Sequence, residues 1–227
     1  MPGHDRTAPA DTRDMVIVHD ALRRDLARAR TTIGGPSAIA ESQRRSLSDH
    51  LRWMMDFLQH HHHGEDHGLW PRVRAANPES CELIAAMEVA HRSVDPRSTQ
   101  LDHAAFAYRD GGSASDVVAA IEDLESVLLP HLREEEEQTL PVVSASITQA
   151  DWDAYNAEEN IATRSQFQLG ITGHWMMDGL TPERAALVTG LVPPVQRFAL
   201  VHGIGPVYRS RAKARWGGRA SDYGMRA

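Results

Sequence analysis

Four stretches of this chain step their apolar residues by alternating threes and fours, and each stretch interrupts its stripe with a histidine. The first stripe is Met15, His19, Leu22, Leu26, Ala29 and Ile33, and the second is Leu47, Leu51, Met54, Leu58, His61 and Glu65. The third runs Ile84, Met87, His91, Val94, Ser98, Leu101, Ala105 and Tyr108, and the fourth Val117, Ile121, Leu124, Leu128, His131 and Glu135. Steps of this kind return to one face of an α-helix, and four in succession predict helices packed in a bundle. No period-two alternation long enough for a sheet competes with them. The joints at Gly34-Gly35-Pro36, Asn77-Pro78 and Gly111-Gly112-Ser113 are short and rich in helix breakers, which suits antiparallel neighbours. The expected fold is all-α, an up-down-up-down four-helix bundle with additional C-terminal helices.

The chain divides accordingly. Residues 1–13 read as a flexible leader, 14–146 as the bundle, 147–216 as a helical extension packed on it, and 217–227 as a disordered tail. The second helix should end or kink near Gly68 to Pro71, and Pro96 should interrupt and bend the third. In the extension, Thr148 with Asp151 has the form of a helix N-cap, and Thr181-Pro182-Glu183 opens a later helix. A last helix follows Pro193 and Pro194 towards Trp216, where Arg209, Arg211, Lys213, Arg215 and Arg219 read as a solvated basic end.

Composition excludes several classes. A formal charge of −7 argues against general nucleic-acid affinity, which needs a basic face. Cys81 is the single cysteine, so neither an intrachain disulfide nor a thiolate metal cluster can form. No run approaches the ~20 apolar residues of a membrane span. Met1 to Asp14 lacks the apolar stretch of a secretory signal, so a reduced cytoplasmic setting is expected, with no membrane partner.

The histidines carry the chemistry. Polar groups in a core are costly unless paired or bound to a metal. A lone helical histidine on an apolar stripe is ordinarily a hydrogen-bonded core residue, but four in register, two with a glutamate at i+4, favour one shared metal site. Residues four apart share a helix face, so His61 with Glu65, and His131 with Glu135, each present an imidazole and a carboxylate to one place. Adding His19 and His91 gives four imidazoles and two carboxylates, which suits two cations bridged by the glutamates better than one. Nitrogen and oxygen ligands without thiolate favour iron, then manganese and zinc. The run His60 to His63 also offers a neighbouring register, Met55, His62 and Asp66, and Glu136 lies one residue from Glu135. Glu88, three residues before His91, is expected outside the ligand set. His50 lies too far along its helix from His61 to join it, and reads as a capping or interface group.

Together these residues resemble the hemerythrin, or HHE cation-binding, domain. The resemblance is carried by His19, His61-His62-His63-Gly64-Glu65-Asp66, Leu69-Trp70-Pro71, Glu88 to His91, and His131-Leu132-Arg133-Glu134-Glu135, over about residues 14–145. Trp175-Met176-Met177-Asp178-Gly179 and the following helices resemble the extension of some bacterial members. The resemblance implies a four-helix bundle with an oxo- or hydroxo-bridged non-haem di-iron centre that reacts reversibly with dioxygen, bacterial members being associated also with peroxide or nitric oxide chemistry. By position, His19 matches the first-helix ligand, His61 and Glu65 the second-helix pair, His91 a third-helix ligand, and His131 with Glu135 the fourth-helix pair.

Two departures bear on function. Oxygen-carrying members have His-x-x-x-His on the third helix, whereas this chain has Asp95 at that i+4 position, and their fourth-helix carboxylate is an aspartate at i+5. One imidazole is therefore missing, or replaced by Asp95, a tyrosine, another histidine or water, which turns the emphasis from oxygen carriage to reactive chemistry. The expected function is a di-iron protein that binds or turns over small oxidants: dioxygen, hydrogen peroxide or nitric oxide. The alternatives are a di-iron oxygenase or oxidase acting on a small organic substrate, with residues 148–216 as lid or pocket wall, and a non-catalytic metal-binding sensor or storage bundle. An apolar pocket beside the metals would favour the oxygenase, and a closed site the small-oxidant reading.

Overall fold

The computed structural model describes residues 5–190 and 203–217. The long helices are α1 (Arg13–Ile33), α2 (Glu41–Gly64), α4 (Cys81–Arg109) and α5 (Ala114–Glu134). Each packs on the next in chain order and α5 closes back on α1, so the four enclose one interior. Short helices α3 (Trp70–Ala76), α6 (Leu140–Ser146) and α7 (Gln149–Tyr155) cap one end, and α8 (Gln166–Met177), α9 (Pro182–Gly190) and α10 (Gly205–Trp216) follow. Among the described residues there is no strand, only an isolated antiparallel bridge between Pro9 and Thr148. No described helix is long and apolar enough to cross a membrane.

The stripes do not bury one continuous core. Leu22, Leu26, Leu51, Leu58, Val94, Leu101, Ile121 and Leu128 belong to a large apolar cluster along the bundle. Met15, Leu69, Trp70, Ile84, Met87, Leu140, Trp152 and Tyr155 form a second, smaller one at the capped end. Where each stripe passes from one cluster to the other stand His19, His61 with Glu65, His91, and His131 with Glu135. The polar residues thus occupy a layer between two apolar masses.

Two helices change pitch at that layer. After α2 and after α5 the chain makes π-helical turns, Glu65–Leu69 and Glu135–Thr139, in which the Trp70 and Leu140 amides donate to carbonyls five residues back, on Glu65 and Glu135. Pro71 and Pro141 follow immediately. A proline ring clashes with the carbonyl four residues before it and has no N–H to give, and a widened turn relieves both problems. The kink expected before Pro71 is therefore a wide turn that leaves the chain helical. Pro96 behaves differently. It was expected to interrupt its helix, but α4 runs unbroken from Cys81 to Arg109. A proline costs a helix about 3 kcal/mol, and burial of Val94, Ser98 and Leu101 on either side outweighs it. Ser98 and Thr99 hydroxyls donate to the Asp95 carbonyl beside the gap.

The leader is held where looseness was expected. The Ala10 amide donates to the Ile147 carbonyl, the Gln149 and Ala150 amides donate to Ala8 and Arg6, and Ser144 Oγ donates to the Ala10 carbonyl. Thr148 and Asp151 form the expected reciprocal cap. Pro193, Pro194, His202, Arg219 and nearly all of the expected disordered tail lie outside the described residues. Arg209, Arg211 and Lys213 are exposed, but Arg215 is buried against the rings of Tyr208 and Trp216 instead of solvated.

One buried carboxylate ties the extension to the bundle. Asp25 of α1 is inaccessible and accepts from His50 Nε2 on α2 at 2.7 Å, Trp175 Nε1 on α8 at 3.0 Å, Arg24 Nε at 2.8 Å and Arg28 Nη1 at 3.0 Å. Arg24 continues to the carbonyls of Trp175 and Asp178, while Arg28 and the Tyr208 hydroxyl both meet Asp178 Oδ2 at 3.0 Å. His50 is thus an interface group, as its distance from the other histidines predicted. Burial, then the charge of Arg215, lowers the His50 pKa to about 4. Burial alone would raise Asp25, but the His50 hydrogen bond and the Arg24 charge hold it far below the usual carboxylate range. Both groups refuse in the folded state protons that the unfolded chain accepts, below roughly 6.5 for histidine and 3.9 for aspartate. This contribution is therefore complete near neutrality, declines as pH falls from about 6.5, and declines further below about 4. Asp25→Asn removes the buried counter-charge of Arg24, which Arg28 shares with Asp178, and should cost about 3–5 kcal/mol in chemical denaturation at pH 7. Equal stability of parent and variant would remove Asp25 from this role.

Candidate metal centre

Seven ligand-type side chains fill the polar layer. His19, Glu65 and Glu135 are inaccessible, and His61, His62, His91 and His131 are at most 3% exposed. Each glutamate lies between imidazoles of different helices. Glu65 Oε1 is 3.2 Å from His61 Nε2, and its Oε2 is 3.4 Å from His91 Nε2. Glu135 Oε2 is 3.5 Å from His19 Nε2 and 3.8 Å from His131 Nε2. The donors fall into two groups whose ligand atoms lie within 4.8 Å of one another: His62, His91 and His131, and His19, His61 and Glu65.

The inward atoms have no hydrogen-bond partners. This holds for Nε2 of His19, His61, His91 and His131, both nitrogens of His62, and both carboxylate oxygens of Glu65 and Glu135. A buried polar atom left unsatisfied costs about 1–3 kcal/mol, so a concentration of such atoms in one layer is a structural expense with one economical explanation. Imidazole nitrogens and carboxylate oxygens converging at short range are the donor set of a transition-metal site. The residues present fit such an ion.

Two of the outward-facing nitrogens are, by contrast, held, while His131 Nδ1 has no partner. His91 Nδ1 donates to Asp66 Oδ1 at 2.8 Å, and His19 Nδ1 to Glu136 Oε1 at 2.9 Å, which Arg23 Nη1 also grips at 2.8 Å. A carboxylate behind an imidazole fixes its tautomer and ring orientation, and leaves the Nε2 lone pair facing the site. Asp66 and Glu136, which the sequence offered as substitute ligands, instead hold the rings that face inward.

The two halves of the layer correspond. His61, Glu65, Asp66 and Pro71 recur 70 residues later as His131, Glu135, Glu136 and Pro141. In each copy the glutamate begins a π-helical turn and the next acid holds the histidine of a neighbouring helix, Asp66 that of α4 and Glu136 that of α1. His62 breaks the correspondence, because residue 132 is a buried leucine. His62 also makes the two donor groups unequal, with three imidazoles in one, His62, His91 and His131, and two in the other, His19 and His61.

Electrostatics suit cation binding. Burial first, then the neighbouring imidazoles, hold His61 and His62 well below the ordinary histidine pKa, and His131 at about 2. These rings are neutral at physiological pH, the form that ligates metal. Burial and then the opposing charge of Glu135 push Glu65 well above its ordinary value. A cation held by these residues would offset that repulsion and favour the ionised carboxylates.

All six residues singled out from the sequence, His19, His61, Glu65, His91, His131 and Glu135, meet in this layer. His62 joins them as an addition, whereas the sequence treated its register as a rival to that of His61. Asp95 stays at the surface, its side chain 54% exposed and 3.7 Å from His62 Nδ1. The third-helix gap is therefore faced by an imidazole from α2. Glu88 pairs with Arg74 at 2.8 Å, outside the layer, and His60, His63 and His67 are exposed. Clefts of about 320 Å³ (Arg13, Val16, Glu183, Arg184, Leu187) and 490 Å³ (Arg23, Ala27, Arg30, Glu125, Leu129, Arg133, Glu136) lie on the outer surface, and neither is lined by the seven.

A four-helix bundle with a buried histidine–carboxylate layer defines a class, the helical cation-binding proteins. Residues 10–143 match the family of the hemerythrin HHE cation binding domain, more than half of the chain, and the protein belongs to that family. No match was found among curated proteins or among solved structures.

If the layer is kept for binding at the expense of stability, apolar repair should stabilise the metal-free chain. His62→Leu copies Leu132 of the other half. In urea denaturation with chelator present, this variant should be about 1–3 kcal/mol more stable than the parent, yet gain less stability from added metal. A metal-free variant less stable than the parent would show that His62 is a packing residue.

Proposed function

We propose that the protein is a non-haem di-iron protein that binds or turns over a small oxidant: dioxygen, hydrogen peroxide or nitric oxide. The observation that carries this reading is the closed layer of five imidazoles and two carboxylates, buried between two apolar clusters with its inward atoms unsatisfied. In this reading His19 and His61 hold one cation and His62, His91 and His131 the other. Glu65 and Glu135 are shared, which is supported by the two oxygens of Glu65 lying beside imidazoles of opposite groups. Nitrogen and oxygen donors without thiolate suit iron, with manganese and zinc as rivals.

Iron, when bound, supplies one-electron redox chemistry and coordination positions for an exogenous ligand. The chain's own residues do the rest. Burial keeps His61, His62 and His131 neutral, Asp66 and Glu136 fix the rings of His91 and His19, and the apolar clusters on either side exclude water and bulky molecules. With His62 counted, the argument against reversible dioxygen binding from a missing imidazole lapses, so dioxygen stands beside peroxide and nitric oxide. The larger cleft reaches Arg23 and Glu136 behind His19, but neither cleft is lined by any of the seven side chains, which favours a small oxidant over an organic substrate.

Anaerobic loading with Fe(II), metal analysis, and absorption spectra after each oxidant provide the test. About two irons per chain and a spectral response to at least one oxidant are expected. His91→Ala and Glu135→Ala should lose iron, whereas His63→Ala, which changes an exposed ring, should keep it. Retention of both irons by His91→Ala contradicts the ligand assignment. Binding of zinc alone, without response to any oxidant, contradicts the function.

A further inference from the structure

Tyr155, the last residue of α7, brings a phenol from the extension to the edge of the polar layer. Its side chain is inaccessible, packed in the capped-end cluster with Leu69, Trp70, Leu140 and Trp152, and its hydroxyl has no hydrogen-bond partner. Two glycines permit the approach. A Cβ on Gly64 would lie 3.7 Å from the Tyr155 hydroxyl and 3.2 Å from Glu159 Cβ, and one on Gly68 would lie 3.1 Å from the tyrosine ring and 2.7 Å from Glu159 Cγ. Gly64 adjoins Glu65, so the hydroxyl lies against the backbone next to that residue and within reach of the Glu65 charge, although it shares no hydrogen bond with either carboxylate in this structure. Burial, then the charges of Glu65 and, more weakly, Glu135, raise the phenol well above its ordinary pKa, so it keeps its proton. Asn160 lies nearby without meeting hydrogen-bond geometry, and its amide donates to Asn156 Oδ1 at 3.0 Å. A buried phenol donor without an acceptor thus stands beside carboxylate acceptors without donors.

We propose that Tyr155 is a positioning residue of the metal centre, donating its O–H to a carboxylate oxygen of the Glu65–Glu135 pair, so that the extension completes a site that the bundle alone leaves short of one donor. This rests on the reading of the layer as a metal centre. A donor on a ligand carboxylate fixes its orientation and withdraws charge from it, and so alters both cation affinity and the potential of a redox-active cation.

Tyr155→Phe removes only the oxygen. The full-length parent, Tyr155→Phe and Asn160→Ala are titrated anaerobically with Co(II), and the absorption spectrum and midpoint potential of the iron-loaded proteins are recorded. Tyr155→Phe should keep its helical fold, bind Co(II) about tenfold to a hundredfold more weakly and shift the iron potential, while Asn160→Ala matches the parent. Equal affinity and potential in Tyr155→Phe and the parent overturn the proposal, as does an equal loss in Asn160→Ala. A phenolate-to-ferric charge-transfer band in the parent that disappears in Tyr155→Phe also overturns it, because the oxygen would then be a ligand and not a donor to one. Failure of the parent to take up Co(II) is a different result: it overturns the metal-centre reading, and this proposal with it.

Discussion

Two carboxylates face each other in a layer shut off from solvent, and the rest of the architecture answers to that pair. Glu65 and Glu135 are inaccessible, and burial together with their mutual repulsion raises Glu65 well above its ordinary pKa. A bundle assembled for stability would place leucines there, as it does about two turns away at Leu58 and Leu128. Five imidazoles surround the pair, and burial holds three of them, His61, His62 and His131, in the neutral form while it penalises the Glu65 carboxylate. In such surroundings a cation is worth far more than in water, because little else offsets the negative charge. The layer is poor packing material and good coordination material for a single physical reason.

Keeping that pair in place requires control of helix phase. Around the ends of α2 and α5 the histidine, the glutamate and the next acid must face three directions: into the layer, between imidazoles of two helices, and back to an imidazole on a neighbouring helix. Wide turns before Pro71 and Pro141 begin at the glutamates and redirect the chain into α3 and α6, which close the end of the bundle. The near-repetition of this device 70 residues apart gives two equivalent half-sites. The substitution of His62 for the leucine of the other half makes them unequal. The donor set is asymmetric as a consequence, with three imidazoles in one group and two in the other.

Much of this was legible in the stripes. The alternating steps identified the four long helices, and the interruptions of the stripes identified six of the seven residues of the layer. Periodicity treated His61 and His62 as rivals because it assigns one buried line to each helix. A helix in a four-helix bundle touches two neighbours, and its buried arc spans more than one line of residues. His61 thus meets His19 of α1, and His62 stacks on His91 of α4 at 4.1 Å. The roles of Asp66 and Glu136 carried a signal, an acid directly after each ligand-type glutamate, but the spacing alone did not distinguish a ligand from a group that holds one. Tyr155 had no sequence signal. Its place beside Gly64 depends on how the extension packs, and local spacing does not report tertiary contacts between segments ninety residues apart.

The extension relates to the layer through stability as well as through Tyr155. Unsatisfied polar atoms in the interior weaken the apolar column at the level where the two clusters meet, so cohesion has to be supplied elsewhere. The Asp25 network supplies part of it from one side, joining α1, α2 and α8 through a carboxylate with four donors. The leader's hydrogen bonds to residues 147–150 supply part from the capped end. Both lie outside the layer, and both strengthen the frame without filling the donor positions. A frame braced from outside can keep a costly, poorly packed interior in register, and this is what a site that must stay open to a cation and a small ligand requires.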